Sequence, residues 1–441
     1  MQETNVYTNL YETAEQFHGE LCALAEDLNA CPELGFREYK TSARLLRAFQ
    51  TLPLKIEMFT PLTGFCATLD TGIPGPTVAV LCELDALPCP DHPNADPETG
   101  AAHCCGHHVQ MVTAYGSAKA LVCSGVLPLL CGKIKFMAVP AEEYVDLGFR
   151  CELRRKGVIQ FLGGKSELIA RGAFDGVDAA VAIHSLPSKD WRFALCTGLN
   201  GFQAVMVDIY GKGGHSATNP EDSVNALDAA QLGISALNAW RATFRESDAI
   251  RVNPIITKGG DAMNVVPGHT RVEMLIRGNS KDAIDSTMKK VEMAFQGAAQ
   301  ALGARAKITS LHGYFPFQAS KKMNWLAESV ARNITGKQVV QLPPGYSATD
   351  LGDLSMCIPV IQPYLSGCSG SLHAANFRIT DDTCYTDGAK LLSGIVTDLL
   401  VDSGTFVKRL KEKEPPHFPT RESYVEAAER FFSAANIATG G

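Results

Sequence analysis

The chain has no run of the ~18–20 apolar residues that a membrane-spanning helix needs. Its longest charge-free apolar stretch, residues 120–132, is short and is broken by Pro128. It has no basic surplus either: 40 Lys and Arg against 47 Asp and Glu give a formal charge of −7. That balance disfavours a nucleic-acid partner. The opening MQETNVYTNLYETAEQ lacks a basic start and an apolar centre, so no secretory signal is expected. The 14 cysteines are scattered, with only Cys104 and Cys105 adjacent, and show no disulfide framework. They point to a reducing compartment, the cytoplasm, with most thiols acting as small buried hydrophobes. Three catalytic signatures are also missing. No Gly-x-Ser-x-Gly elbow supports a serine hydrolase. No Gly-x-Gly-x-x-Gly opens a helix after the first strand, which excludes a dinucleotide fingerprint. Gly164-Lys165-Ser166 ends like a phosphate loop, but Ile159 stands where that loop needs its first glycine.

What is present reads as two domains, since 441 residues exceed the roughly 250–300 at which single cores stop growing. Residues 10–29 carry Phe17, Leu21, Leu24 and Leu28 at helical spacing, and a second helix is expected over 39–52. Three short apolar runs, 77–81, 133–139 and 178–183, have strand character. A helical stretch over 107–122 lies between the first two. Strands alternating with helices imply a mainly parallel sheet covered on both faces, an α/β architecture. From about residue 198 the pattern becomes β-α-β-β-α-β, a ferredoxin-like α+β unit inserted in the larger domain. Residues 358–365 resume the buried-strand character of the first part. The expected division is therefore 1–197 with 313–441, interrupted by 198–312. The tail after Val407 reads as a solvated linker, KRLKEKEPP, and a closing helix over 423–438.

Ligands in open parallel sheets collect at the carboxyl ends of strands. Here the first run leads into Cys82-Glu83-Leu84-Asp85, the second into Pro140-Ala141-Glu142-Glu143, and the third into His184. The central helix opens at His103-Cys104-Cys105-Gly106-His107-His108, and a further strand leads to Ser371-Leu372-His373. Singly, each has an ordinary structural explanation. Jointly, desolvated carboxylates, a thiol and imidazoles suit one or two divalent ions. Cys105 would stand at a helix N-terminus, where the thiolate is favoured. Of two adjacent carboxylates, one can bind metal while the other moves a proton from water to a leaving group. Such a site suits amide hydrolysis, because a bound ion lowers the pKa of its water to about 7. Gly213-Gly214-His215-Ser216-Ala217 in the inserted domain is either a glycine turn with a capping serine or the source of an oxyanion donor, His215.

These stretches resemble the aminoacylase and carboxypeptidase group of co-catalytic metallopeptidases, in the amidohydrolase branch that includes aminobenzoyl-glutamate and auxin-conjugate hydrolases. PELGFREYKTSARL, VAVLCELDALP, CCGHH, VPAEEY, GKGGHSATNPEDSVNALDAA, NVVPGHTRVEMLIRG and GSLHAANF follow in the family's order, from Pro32 to Phe377. The resemblance implies a metal-binding catalytic domain with an inserted lid and dimerisation domain, and hence a homodimer. It implies Cys105, His107, Glu143, His184 and His373 as ligands of two divalent ions, Zn²⁺ or Mn²⁺. Glu142 would be general base and acid, Asp85 the supporting carboxylate, and His215 the oxyanion donor, in many members reaching the partner subunit's site. Asn264 and Arg277 match positions that hold a substrate carboxylate, a group an arginine can clamp bidentately. Two departures stand out: His108 replaces the usual Asp or Asn, and Cys31 replaces a histidine before PELGF. Residues 89–102 form a longer loop than usual.

The expected function is metal-dependent hydrolysis of a small amide with a free carboxylate: an N-acyl amino acid, a dipeptide or an aminobenzoyl-glutamate-like compound. The alternatives are a metal-stabilised binding or scaffold protein without turnover, and a carboxypeptidase acting on longer peptides.

Overall fold

The computed structural model describes residues 3–430 and 434–435. The chain divides into two compact units. The first comprises Met1–Gly198, Gln318–Pro344 and Asp353–Arg421; the second comprises Leu199–Phe317, Gly345–Gly352 and the described part of Glu422–Gly441.

The first unit is built on a six-stranded sheet in the order Lys55–Met58, Phe65–Asp70, Lys133–Val139, Thr77–Glu83, Ala179–Val181, Val360–Ile361. The last four strands run parallel, and the two at the near edge are antiparallel. Thr77–Glu83 lies in the middle and is buried along nearly its whole length, the mark of a strand covered on both faces. The His107–Cys123 helix packs on it and is itself surrounded by Glu3–Gln16, His18–Asn29 and Thr383–Leu400. With 14 of its residues buried it has no solvated face, so it is a core helix rather than an amphipathic one. Phe49 packs between that helix and the sheet, its ring 5.5 Å from Phe65, 5.6 Å from Tyr115 and 5.8 Å from Phe136. A buried ring of this size contributes about 2 kcal/mol.

Four local expectations are revised. Residues 10–29 form two helices, Glu3–Gln16 and His18–Asn29, because Phe17 leaves helical geometry (φ −95°, ψ 5°) just before a propagation-weakening Gly19. The run 358–365 is two strands in different sheets. Val360–Ile361 completes the main sheet, and Tyr364–Leu365 joins a four-stranded one with His184–Ser185, Phe193–Cys196 and Val340–Leu342. Pro363, which lacks a donor, marks the hop. The segment read as a linker after Val407 is the helix Thr405–Lys413, with Val407 and Leu410 buried one turn apart. The closing helix is Arg421–Glu429; Ala434–Ala435 pair with a strand instead, and the rest of that expected span lies outside the described residues.

In the second unit, strand Gly201–Tyr210 lies between His269–Gly278 and Arg305–Tyr314, all antiparallel. His269–Gly278 alternates strictly, with Thr270, Val272, Met274 and Ile276 turned inward. Helices Ala226–Trp240 and Lys281–Ala301 cover that face, capped by the side chains of Asn225 and Ser280. No described helix is long and apolar enough to cross a membrane.

Candidate metal centre

The sheet delivers Glu83 at the end of its central strand and Asp85 two residues on. Gly106 then starts the central helix in the left-handed region (φ 82°), and a Cβ there would come 2.9 Å from Ser185 Cβ. Only glycine lets the turn bring Cys105 and His107 this close to the His184–Ser185 strand. His373 is also left-handed (φ 61°), held by its N–H donating to Cys104 O at 2.9 Å.

Five of the residues singled out above meet around one sulfur. Cys105 Sγ lies 3.4 Å from His184 Nε2 and 3.2 Å from His373 Nε2. Two ligand triads share it: Cys105, His107 and His184, and Cys105, Glu143 and His373. Within each, the donor atoms lie within 4.8 Å of one another. His373 Nε2 approaches Glu143 Oε1 to 3.1 Å, yet that oxygen has no hydrogen bond, nor does His107 Nε2. Close approach without a hydrogen-bonding angle is how lone pairs aimed at a common point sit. The tautomers agree: His107 Nδ1 faces Asp85 O at 2.8 Å and His184 Nδ1 faces Ser185 O at 2.8 Å. Each carbonyl takes the Nδ1 proton and turns Nε2 inward. Burial would lower the His107 imidazole, but Glu83, 3.1 Å from its Nε2, and Cys105 push it well above its ordinary value, so a cation must displace a proton there. Burial also holds the His184 imidazole below its ordinary pKa. The donor set fits a soft or borderline divalent ion.

The helix N-terminus does not make Cys105 a ready thiolate, as the sequence suggested. Burial, followed by the Glu143 carboxylate, pushes its thiol well above the usual value. A cation must displace that proton to bind.

Asp85 ties the ligands together. Its Oδ2 accepts the Glu143 N–H at 2.9 Å, and its Oδ1 lies 3.4 Å from His107 Nδ1. Glu142 is 8% exposed and groups with Glu83 and His107 rather than with either Cys105 triad.

Four side chains to which sequence reasoning gave no role in the site support this cage. Glu83 Oε1 accepts from the buried Lys165 ammonium at 2.6 Å and Oε2 from Gln110 at 2.7 Å. Burial alone would raise the Glu83 carboxyl, but Lys165, with His107 and His184, holds it low. Lys165 is thus the counter-ion of a site carboxylate rather than a phosphate ligand, and Gly164 packs so closely on Pro140 O that a Cβ would sit 1.5 Å from it. Arg150, 1% exposed, spends its fork on carbonyls: Ala141 O at 3.2 Å, Leu162 O at 2.5 Å, and Glu143 O. It therefore pins the turn that carries Glu142 and Glu143. Glu38, fully buried, accepts the Ala141 N–H at 2.8 Å and the Thr63 hydroxyl at 2.5 Å. The only sequence signal for these four was a charged residue inside an apolar or glycine-rich context.

Burial, reinforced by the Asp85 charge, pushes the Glu38 carboxyl up to about 7. The folded chain then holds a proton that the unfolded chain releases at the ordinary carboxylate pKa. This group's contribution to stability therefore falls as pH rises from that value to about 7, and is level above it. Glu38→Gln, neutral at every pH, is expected to gain on the wild type between pH 5 and pH 8 by up to about 3 kcal/mol. Paired denaturant melts at the two pH values measure it; a pH-independent difference would remove Glu38 as the titrating group.

His108 stays out of both triads. It is 3% exposed beside His103, ring centroids 5.6 Å apart, and burial followed by the His107 charge pushes it down to about 3. It is a neutral packing residue. The 89–102 loop is fastened by His92 Nε2, which lies 3.0 Å from Phe377 O, close in sequence to His373.

In the second unit, His215 is exposed on a two-residue strand paired with Val265–Val266. Its Nδ1 accepts from the N–H groups of Ala217 and Thr218, both at 3.2 Å, which leaves Nε2–H as a free-standing donor. Asn264 is brought beside it, its carbonyl accepting the Ser216 N–H at 3.1 Å. Arg277 lies at the far end of strand His269–Gly278, over the Phe202 ring at 5.4 Å. Eight residues of strand place it roughly 27 Å from His269, the end nearer the His215 ribbon. Within one chain, Arg277 and the His215–Asn264 pair do not converge.

Known proteins resemble the chain in sequence and in fold. Residues 197–301 match the peptidase dimerisation domain. Among curated relatives, the Xaa-Arg dipeptidase of Mus musculus is 28% identical over 80% of this chain and 78% of its own length. The N-acetyldiaminopimelate deacetylase of Lacticaseibacillus casei is 27% identical over 85% and 95%. A solved dinuclear metal binding peptidase of the M20 family from Bacillus subtilis superposes with a TM-score of 0.68 at 21% identity, covering 88% of this chain and 99% of that one. Along most of its length, then, the chain is similar in sequence to a curated dipeptidase and a curated deacetylase, and its inserted domain matches the peptidase dimerisation domain.

Proposed function

We propose that this chain is a metal-dependent amidohydrolase that cleaves an N-acyl amino acid, a dipeptide or an aminobenzoyl-glutamate-like amide. The observation that carries this reading is the position of Cys105 between two ligand triads, with Glu142 beside them and in neither. Cys105, His107 and His184 would hold one divalent ion, and Cys105, Glu143 and His373 the other, as Zn²⁺ or Mn²⁺. When bound, such ions polarise an amide carbonyl and acidify water. Glu142 takes the proton from that water and returns it to the leaving nitrogen. Asp85 keeps His107 and Glu143 in register, and His215 Nε2–H meets the developing oxyanion. Asn264 and Arg277 bind the substrate carboxylate, Arg277 by its fork.

The separation of Arg277 from the His215–Asn264 pair along one strand supports a homodimer. In it, the pair serves the site of the partner subunit. The activities for which the relatives are named, a dipeptidase and a deacetylase, support a small amide as substrate. Fourteen free cysteines support a reducing cytoplasm.

The test is a panel of N-acetyl amino acids, dipeptides, aminobenzoyl-glutamate and longer peptides, assayed with Mn²⁺ or Zn²⁺ for release of free amine. Turnover is expected on the first three classes and to decline with peptide length. Release from none of them would leave a binding protein, and preference for longer peptides would make it a carboxypeptidase.

A further inference from the structure

A second group of metal-ligating side chains lies outside the site above, on residues the proposed reaction does not use. His18 and Cys22 are four apart on helix His18–Asn29 and therefore share one face. Asp382 meets them from the start of helix Thr383–Leu400. Cys22 Sγ lies 3.6 Å from His18 Nε2 and 3.8 Å from Asp382 Oδ2, and His18 Nε2 lies 3.7 Å from Asp382 Oδ2. The last separation is too long for a hydrogen bond. Ligands of a tetrahedral ion with bonds of about 2.0–2.3 Å lie about 3.3–3.7 Å apart, so two of the separations fall within that range and the third, at 3.8 Å, just above it.

The behaviour of Asp382 is a separate observation. It occupies the position before the Thr383–Leu400 helix, where an aspartate ordinarily caps, yet makes no cap bond. Asp381 takes over instead, its Oδ1 accepting the Thr383 N–H at 3.1 Å and hydroxyl at 2.6 Å. Asp382 is left turned toward the histidine and the thiol. There it accepts from the Cys22 thiol and pairs with His18, two long contacts that a cation shared by all three would replace. The side chains of His18 and Asp382 are 36% and 62% exposed, so water can supply a fourth ligand.

We propose that His18, Cys22 and Asp382 bind a zinc ion, separate from the amidohydrolase centre. A thiolate and an imidazole select a borderline-soft ion over magnesium or calcium. The ion fastens together two helices, His18–Asn29 and Thr383–Leu400, that both pack on the His107–Cys123 helix. It thus staples the layer behind the catalytic ligands.

Alkylation of Cys22 by iodoacetamide, followed by peptide mass spectrometry on the full-length protein, reads this site alone. Zinc is expected to slow Cys22 modification at least about tenfold in the wild type, because a coordinated thiolate is withheld from the reagent. His18→Gln and Asp382→Asn should each abolish that protection, lower the bound zinc by one ion per chain, and leave turnover unchanged. Equal Cys22 alkylation with and without zinc in the wild type would overturn the proposal. So would protection that persists undiminished in both variants.

Discussion

Glu142→Gln is expected to lower kcat by about 10³-fold, within the range for loss of a positioned acid–base group, while the protein keeps its catalytic metal. Glutamine preserves the size of a side chain that is 8% exposed, so the surrounding packing is not disturbed. It cannot take a proton from water, and the site offers no equivalent acceptor in reach of the same water. Glu83 is engaged by Lys165 and Gln110, Asp85 by the Glu143 N–H, and Glu143 belongs to a ligand triad. Measuring kcat alongside metal content by mass spectrometry separates two roles. Metal retained with turnover lost identifies the proton carrier. Loss of metal would instead make Glu142 a ligand, through its grouping with Glu83 and His107. Turnover within a few-fold of the wild type would exclude both.

Cys105→Ser is expected to cost the protein both catalytic ions, whereas His373→Ala should cost only one. The difference follows from the shared sulfur: His373 serves one triad, while Cys105 serves two. A serine hydroxyl does not ionise in this range and is a poor substitute for a thiolate that would serve both ions. Two measurements check it, metal stoichiometry after mild chelation and the pH dependence of metal affinity. In the wild type, a proton must leave a thiol that burial and Glu143 hold well above its ordinary value. Affinity should therefore rise with pH, and the slope should be shallower in the serine variant. Equal metal loss in the two variants would show that the sulfur does not bridge.

The residues that could be found by reading along the chain are those whose local context is enough. Cys105-Gly106-His107, Glu142-Glu143, His184 and His373 each follow an apolar strand or open a helix, and the sheet's topology brings them to one edge. The parallel sheet and the inserted α+β unit are legible for the same reason, since periodicities of two and 3.6 are local signals. Element ends were less legible where a tertiary contact decides them. The strand broken at Pro363 passes between two sheets, and the charged stretch after Val407 becomes helix because two of its apolar residues find the core.

The roles of Glu38, Glu83, Arg150 and Lys165 lay beyond sequence reasoning because a charged residue inside a fold has meaning only through its partner. Glu83 and Lys165 are 82 residues apart and meet as a buried pair. Arg150 has carbonyls for partners, which carry no sequence signal. His18, Cys22 and Asp382 are likewise joined only by the packing of two helices. From its amino acids alone, this chain determines which chemistry it can perform, because ligand identity is written in residue type. Which side chains bind, which move protons and which merely hold others still was decided by tertiary structure, because distance, burial and lone-pair direction arise only when remote segments pack.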